Sequence, residues 1–203
     1  TCALPICWTE AAKSWDGKAE TPILPGEVAY LDVNKLAEGK KYCAPGSIRV
    51  SPSSKLMAYS VDFSGDEICE LCVKNIETGE IVDSDPTIQC YGSVQWGSDD
   101  ETIFYMKMDD QQRPFQLYRR KIGSNRKADD EDELLFQEDD ELFWLHFTKS
   151  FDGKYIFVHS GSKETSETQF LDLSDPNSKL QCVAKRRKKV LYNVRHQIGR
   201  AHV

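Results

Sequence analysis

The segment Gly46-Ser47-Ile48-Arg49-Val50-Ser51-Pro52, continued through Tyr59, aligns without gaps on Gly92-Ser93-Val94-Gln95-Trp96-Gly97-Ser98, continued through Tyr105. The offset is 46 residues, and a third copy runs from Leu145 to Val158 at a further offset of 53. A fourth copy begins at Tyr192-Asn193-Val194. Self-similarity at a period of about 20 to 50 residues is the signature of repeat architectures, whose units bury their faces only by stacking on one another. Each copy reads as an alternating strand, a polar turn with Ser, Asp or Gly, and a more continuous apolar strand: Leu56 to Val61, Thr102 to Met106, Tyr155 to Val158. Alternation marks a half-buried strand, and the turn residues permit a tight reversal. Third strands follow at Ile68–Asn75, Gln116–Lys121 and Thr168–Leu173, and fourth strands at Ile81–Val82, Glu133–Phe136 and Leu180–Val183.

Four antiparallel strands per period is the pattern of a β-propeller blade. The expected class is therefore all-β, an incomplete propeller with about three four-stranded blades at 46–91, 92–141 and 142–189, and the start of the next at 190–196. Helical spacing of apolar residues occurs only briefly, around Val33 to Ala37, so little helix is expected. A polar segment at 8–27 reads as a loop that enters a first strand around Val28 to Asp32, and the propeller part as a whole spans 28–196. The charge-rich stretches Ser124–Asp132 and Gln137–Glu141 read as links.

The two ends read as non-biological. Thr1-Cys2-Ala3-Leu4-Pro5-Ile6 and Ile198-Gly199-Arg200-Ala201-His202-Val203 can be encoded by nearly the same DNA on opposite strands, and that DNA resembles a sequencing adapter. Residues 1–7 and 197–203 are therefore expected to be scars of that origin, and the reading frame a fragment. This removes Cys2 and His202 from functional consideration and makes Cys7 doubtful. The remaining Cys43, Cys69, Cys72, Cys90 and Cys182 form an odd, uneven set that suits a reducing, cytoplasmic compartment better than a disulfide framework.

Across its 203 residues the chain carries 26 Lys plus Arg against 33 Asp plus Glu, a formal charge of -7. An acidic balance argues against a nucleic-acid partner, which requires a basic face. No run approaches the roughly 18 apolar residues of a spanning helix, so no membrane partner is expected.

Chemistry-bearing residues are few. Cys69-Glu70-Leu71-Cys72 is a lone Cys-x-x-Cys within a strand, where positions three apart face opposite ways, and zinc would need a second ligand pair. His146, His159 and His196 show no metal-ligand spacing and read as surface or packed histidines. Lys185-Arg186-Arg187-Lys188-Lys189, like the acidic runs Asp129–Glu133 and Glu138–Glu141, reads as a solvated loop. Trp96, Trp144, Tyr59 and Tyr105 occupy repeat positions and read as packing residues. Gly-x-Ser-x-Gly, the Walker loop and Gly-x-Gly-x-x-Gly are absent. No catalytic, cofactor-binding or metal-binding residue is assigned, and no cofactor is expected.

The segments Leu31–Gly39, Val50-Ser51-Pro52 with Leu56–Asp62, Glu77-Thr78-Gly79-Glu80, Ile103-Phe104-Tyr105, Arg113–Arg119 and Phe147-Thr148-Lys149-Ser150 together resemble the propeller domain of the prolyl oligopeptidase family of serine peptidases. Within that family they resemble its oligopeptidase B branch. The resemblance runs from about Gly26 to His196. It implies a seven-bladed propeller over an α/β-hydrolase domain, the pair cleaving short basic peptides after Lys or Arg while the propeller filters access. The family's Ser, Asp and His belong to the hydrolase domain, and no position here matches them, so this chain is expected to be inactive alone. A propeller scaffold for protein–protein interaction, with no hydrolase domain, is the alternative.

Overall fold

Burial is concentrated in the second strand of each repeat. In the computed structural model, which describes residues 29–123 and 131–196, every residue from Met57 to Asp62 is buried, as is every residue from Thr102 to Met106. Side chains of a strand alternate between its two faces, so burial at every position means that both faces are covered. The expected scars at the ends lie outside the described residues.

The chain divides into two compact units, Thr1–Asp32 and Val33–Val203. Of the first, 29–32 is described, and it forms no strand. This corrects the first strand expected around Val28 to Asp32, whose Val28 lies outside the described residues. Alternation makes a segment competent for a sheet, but a strand forms only where a neighbour supplies a ladder, and none of the described strands pairs with this one.

The second unit opens with a five-residue helix, α1 (Val33–Ala37), followed by β1 (Ala44–Val50), β2 (Leu56–Asp62), β3 (Ile68–Asn75), β4 (Ile81–Trp96), β5 (Thr102–Met108), β6 (Pro114–Lys121) and β7 (Glu133–Gln137). Next come β8 (Trp144–Lys149), β9 (Tyr155–Gly161), β10 (Ser166–Asp172) and β11 (Gln181–Ala184). All pairings are antiparallel between sequence neighbours. The repeat is visible in single hydrogen bonds. Ser51, Gly97 and Ser150 donate their backbone N–H to the carbonyls of Leu56, Thr102 and Tyr155, each at 2.8 Å, and these are equivalent positions of the three copies. Ile76, Ile122 and Leu173 likewise donate to Lys55, Glu101 and Lys154.

The sheets are not three separate quartets. β1 to β7 form one seven-stranded sheet and β11-β10-β9-β8 a second. The cause is β4, 16 residues long, which serves two blades. Its start pairs with β3 through Asp83 opposite Val73, as the outer strand of the first blade. Its end pairs with β5 through Val94 opposite Tyr105, as the inner strand of the second.

Period-two alternation in β5 then sorts the core. Ile103 and Tyr105 join Ala58, Leu71 and Val73 of the first blade. Phe104 and Met106 join Leu145, Phe147, Ile156 and Val158 of the third. The middle blade is thus the shared wall of two cores, which is how a blade with two apolar faces is stabilised.

Candidate functional site

The geometry that bears on function lies in the seams between blades and along the inner strands. At the first seam, Gly46 of β1 meets Gly92 of β4, its own repeat equivalent. A Cβ on Gly46 would lie 3.1 Å from both Cα and O of Gly92 and 2.7 Å from Ser60 Oγ. Ser60, fully buried, accepts the Ser47 N–H at 2.8 Å and donates to the Gly92 carbonyl at 2.7 Å, so one hydroxyl ties both blades together. Trp96 adds an Nε1–H bond to the Arg49 carbonyl at 2.8 Å. Across the second seam Lys149, the repeat equivalent of Trp96, donates its ammonium to the Gly97 carbonyl at 2.6 Å, while Ser98 donates to the Leu173 carbonyl at 2.8 Å. Burial holds Lys149 below its ordinary pKa, only partly opposed by Asp99.

Two charge clusters sit farther out. Arg120 reaches Asp83 through Nε and Nη2 at 2.9 and 2.8 Å, and Asp132 through Nη1 at 3.0 Å, while Tyr105 donates its hydroxyl to Asp132 at 2.7 Å. Burial first, and then the Asp132 hydrogen bond, raise the Tyr105 pKa, so the phenol stays a donor. Between the second and third blades, Glu138 accepts from Arg186 Nη2 at 2.6 Å and from the Ser160 hydroxyl, and Arg186 lies over the Phe143 ring at 4.1 Å. Arg113 fastens the same turn through the carbonyls of Glu138, Asp140 and Phe143.

Burial works to raise the Glu138 pKa, but hydrogen bonds from Arg186 and Ser160 outweigh it and the net direction is down. A depressed carboxyl contributes stability above its unfolded pKa of about 4.3 and loses that contribution as pH falls through the folded value. Wild type should therefore lose stability below about pH 4 along a limb that Glu138→Gln lacks. Urea midpoints measured across that range check this, and parallel curves for the two proteins would refute it.

The structure places the sequence candidates as follows. Cys69 and Cys72 lie on opposite faces of β3, Cys69 buried and Cys72 partly so, and burial raises both thiol pKa values. Cys90, opposite Cys69, is pushed up to about 12, chiefly by burial. These thiols are poor nucleophiles. Tyr59, Trp96 and Tyr105 are buried packing residues, whereas Trp144 is 55% exposed. The basic and acidic runs are not wholly solvated loops: Glu138 is 4% exposed and is paired with Arg186, because each charge offsets the other's desolvation. Of Asp129–Glu133, Asp129 and Asp130 lie outside the described residues.

His196 Nε2 lies 3.0 Å from Asp152, which also accepts from Ser150 Oγ at 2.7 Å. Here the carboxylate stands between hydroxyl and imidazole, so the imidazole is not placed to take the serine proton and the trio is not a nucleophilic triad. His146 and His159 are brought together as directly opposed residues of β8 and β9, with ring centroids 6.2 Å apart. Spacing in sequence did not reveal this pair. The repeat alignment could have, since it sets His146 on Ser47 and Ser93, and His159 on Ser60 and Met106. Burial, and then His146, lower the His159 pKa.

Residues 2–202 match the family described as "Prolyl oligopeptidase, N-terminal beta-propeller domain". Protease 2 of Moraxella lacunata is 39% identical over 171 residues, 84% of this chain and 24% of that protein. Dipeptidyl aminopeptidase BI of Pseudoxanthomonas mexicana is 29% identical, covering 84% of this chain and 23% of its own length. Among solved structures, oligopeptidase B from Leishmania major superposes with a TM-score of 0.76 at 32% identity, over 82% of this chain and 23% of that one. Oligopeptidase B from Trypanosoma brucei, in a closed form with covalently bound antipain, gives 0.74 at 35% identity, over 91% and 25%. The chain thus spans about a quarter of the proteins it matches. A profile match along nearly its whole length, together with blades that repeat bond for bond, means that the chain belongs to the prolyl oligopeptidase family, as part of its amino-terminal β-propeller domain.

Proposed function

We propose that this propeller segment serves an oligopeptidase B-like serine peptidase, in which it screens access to an α/β-hydrolase domain that cleaves short peptides after Lys or Arg. The observation that carries the reading is the continuity of the wall. β4 passes without a break from the outer edge of one blade to the inner edge of the next, and both seams are closed by packed cores and cross-blade hydrogen bonds. Such a wall does not part to admit a folded protein, so it acts as a steric filter. The likeness to two oligopeptidase B structures at 32% and 35% identity supports the specificity. The described cysteines are free thiols, which supports a reducing, cytoplasmic setting.

The test is to extend the reading frame downstream and express the whole protein. A Gly-x-Ser-x-Gly elbow should appear, and the whole enzyme should hydrolyse short Arg and Lys amides while sparing folded proteins that carry the same bonds. The present chain alone should hydrolyse neither. A complete frame without the elbow would move the assignment to an interaction scaffold, and turnover by this chain alone would overturn the division of labour.

A further inference from the structure

The three blades use equivalent positions differently. In the first, Ser47 and Ser60 close tightly on the next inner strand through the Gly92 carbonyl. In the second, the equivalent Met106 is fully buried in the apolar core shared with the third blade. In the third, both positions carry imidazoles, His146 and His159, and instead of packing shut they face a cavity of about 370 Å³ roofed by Tyr192, Asn193, Val194 and Arg195. Tyr192 is fixed over this face: its hydroxyl accepts the Thr168 N–H at 2.8 Å, and its N–H donates to Ser166 Oγ at 2.8 Å. The lining holds one guanidinium and two imidazoles, and it contains no carboxylate. Arg195 forms no ion pair among the described residues. The carboxylates of the blade are engaged elsewhere. By alternation Ser160 and Glu167 share the face of Ile156 and Leu171 that packs on the second blade, and there Glu138 and Glu167 meet Arg186. Asp152, at the β8–β9 turn, meets His196.

We propose that this cavity binds a small organic phosphate, its phosphoryl group held among Arg195, His146 and His159. A planar guanidinium fork matches the oxygens of a phosphate, and its charge makes those hydrogen bonds strong. The two imidazoles are directly opposed on β8 and β9, with centroids 6.2 Å apart and planes within 22°. Stacked in this way, two imidazolium rings repel each other unless an anion lies beside them. His159 Nδ1 is engaged with Thr168 Oγ1 at 3.1 Å, which fixes the ring and leaves Nε2 to donate when the ring is protonated. The Thr148 hydroxyl and the Asn193 amide add neutral donors to the same lining. Charge selects the ligand class. A phosphate monoester carries about -1.5 to -2 at neutral pH, enough to balance the guanidinium and an imidazolium together, whereas a carboxylate balances only one of them. Burial, and then His146, lower the His159 pKa, and a bound dianion opposes both by favouring the charged ring. Binding therefore takes up protons, and it strengthens as pH falls through the imidazole range of about 6.5.

Phenyl phosphate titrated calorimetrically into the full chain at about pH 7 should bind at one site, at least tenfold more tightly than benzoate. Benzoate binding as tightly would overturn the assignment to a dianion. Arg195→Gln and His159→Gln should each weaken phenyl phosphate at least tenfold, and His196→Gln, whose ring is engaged with Asp152, should leave it unchanged. Unchanged affinity in both of the first two variants, or an equal loss in His196→Gln, would overturn the site. Because a variant could fail to fold, the wild-type chain supplies an independent reading. Sulfate keeps its double charge across the range, so it isolates the protein's own titration. At constant ionic strength it should bind at least tenfold more tightly at about pH 5.5 than at about pH 8. It should also raise the titration midpoints of His146 and His159, followed by their imidazole proton resonances, and leave that of His196 in place. Midpoints of the pair that do not move would also overturn the proposal.

Discussion

Replacing Arg120 with methionine should destabilise the chain by about 3–5 kcal/mol, the range for removing one partner of a buried ion pair. The side chain is 5% exposed and its two carboxylate partners, Asp83 and Asp132, are 13% and 7% exposed. Without the guanidinium, two desolvated carboxylates, one on β4 and one at the start of the segment leading into β7, lose the cation they share, while Tyr105 still donates to Asp132. Arg120→Lys should recover part of the loss, because an ammonium keeps the charge but lacks the planar fork that meets both Asp83 oxygens. In the Arg120→Met background, changing Asp83 and Asp132 to Asn should also restore stability, since the penalty resides in buried negative charges that have lost their shared cation. Urea midpoints of the four proteins measure this. An Arg120→Met chain as stable as wild type would show that the cluster's desolvation cost cancels its attraction.

Gly46→Ala should cost about 1–3 kcal/mol, as overpacking of a closed site does. The added methyl has nowhere to go. Ser60 Oγ at 2.7 Å is held by two hydrogen bonds, and the Gly92 Cα and O at 3.1 Å are backbone. Relief therefore requires the inner strands of two blades to separate, which also strains the Trp96 bond to the Arg49 carbonyl. Gly161→Ala, where nothing lies within 4 Å, should stay within about 0.5 kcal/mol of wild type. Thermal midpoints compare the two variants, and equal effects would mean that the Gly46–Gly92 approach is not a constraint on the seam.

Much of this architecture was legible because a strand writes its environment into a period of two. The second strands at Leu56–Val61, Thr102–Met106 and Tyr155–Val158 were readable as continuous apolar runs, and β2, β5 and β9 cover them. The third and fourth strands follow at the expected places, as does the brief helix at Val33–Ala37. The strand expected near Asp32 failed for want of a ladder partner, which no local pattern reports. The site was legible only in part. Cys69 and Cys72 face opposite ways, as strand geometry requires. The burial of Glu138 was invisible, since its acidic neighbours suggested solvent and its partner Arg186 lies 48 residues away.

Hydrophobic alternation, turn residues and the recurring 46- and 53-residue offsets were enough by themselves to settle strand content, strand order within each blade and membership of a stacked-repeat architecture, because these depend on short-range geometry. Only the tertiary structure decided that β4 joins two blades in one sheet, that Ser60 ties them at Gly92, and that His146 meets His159 over a cavity. Those outcomes depend on the register and spacing of segments far apart in the chain, and a one-residue slip would turn every one of these side chains to the other face.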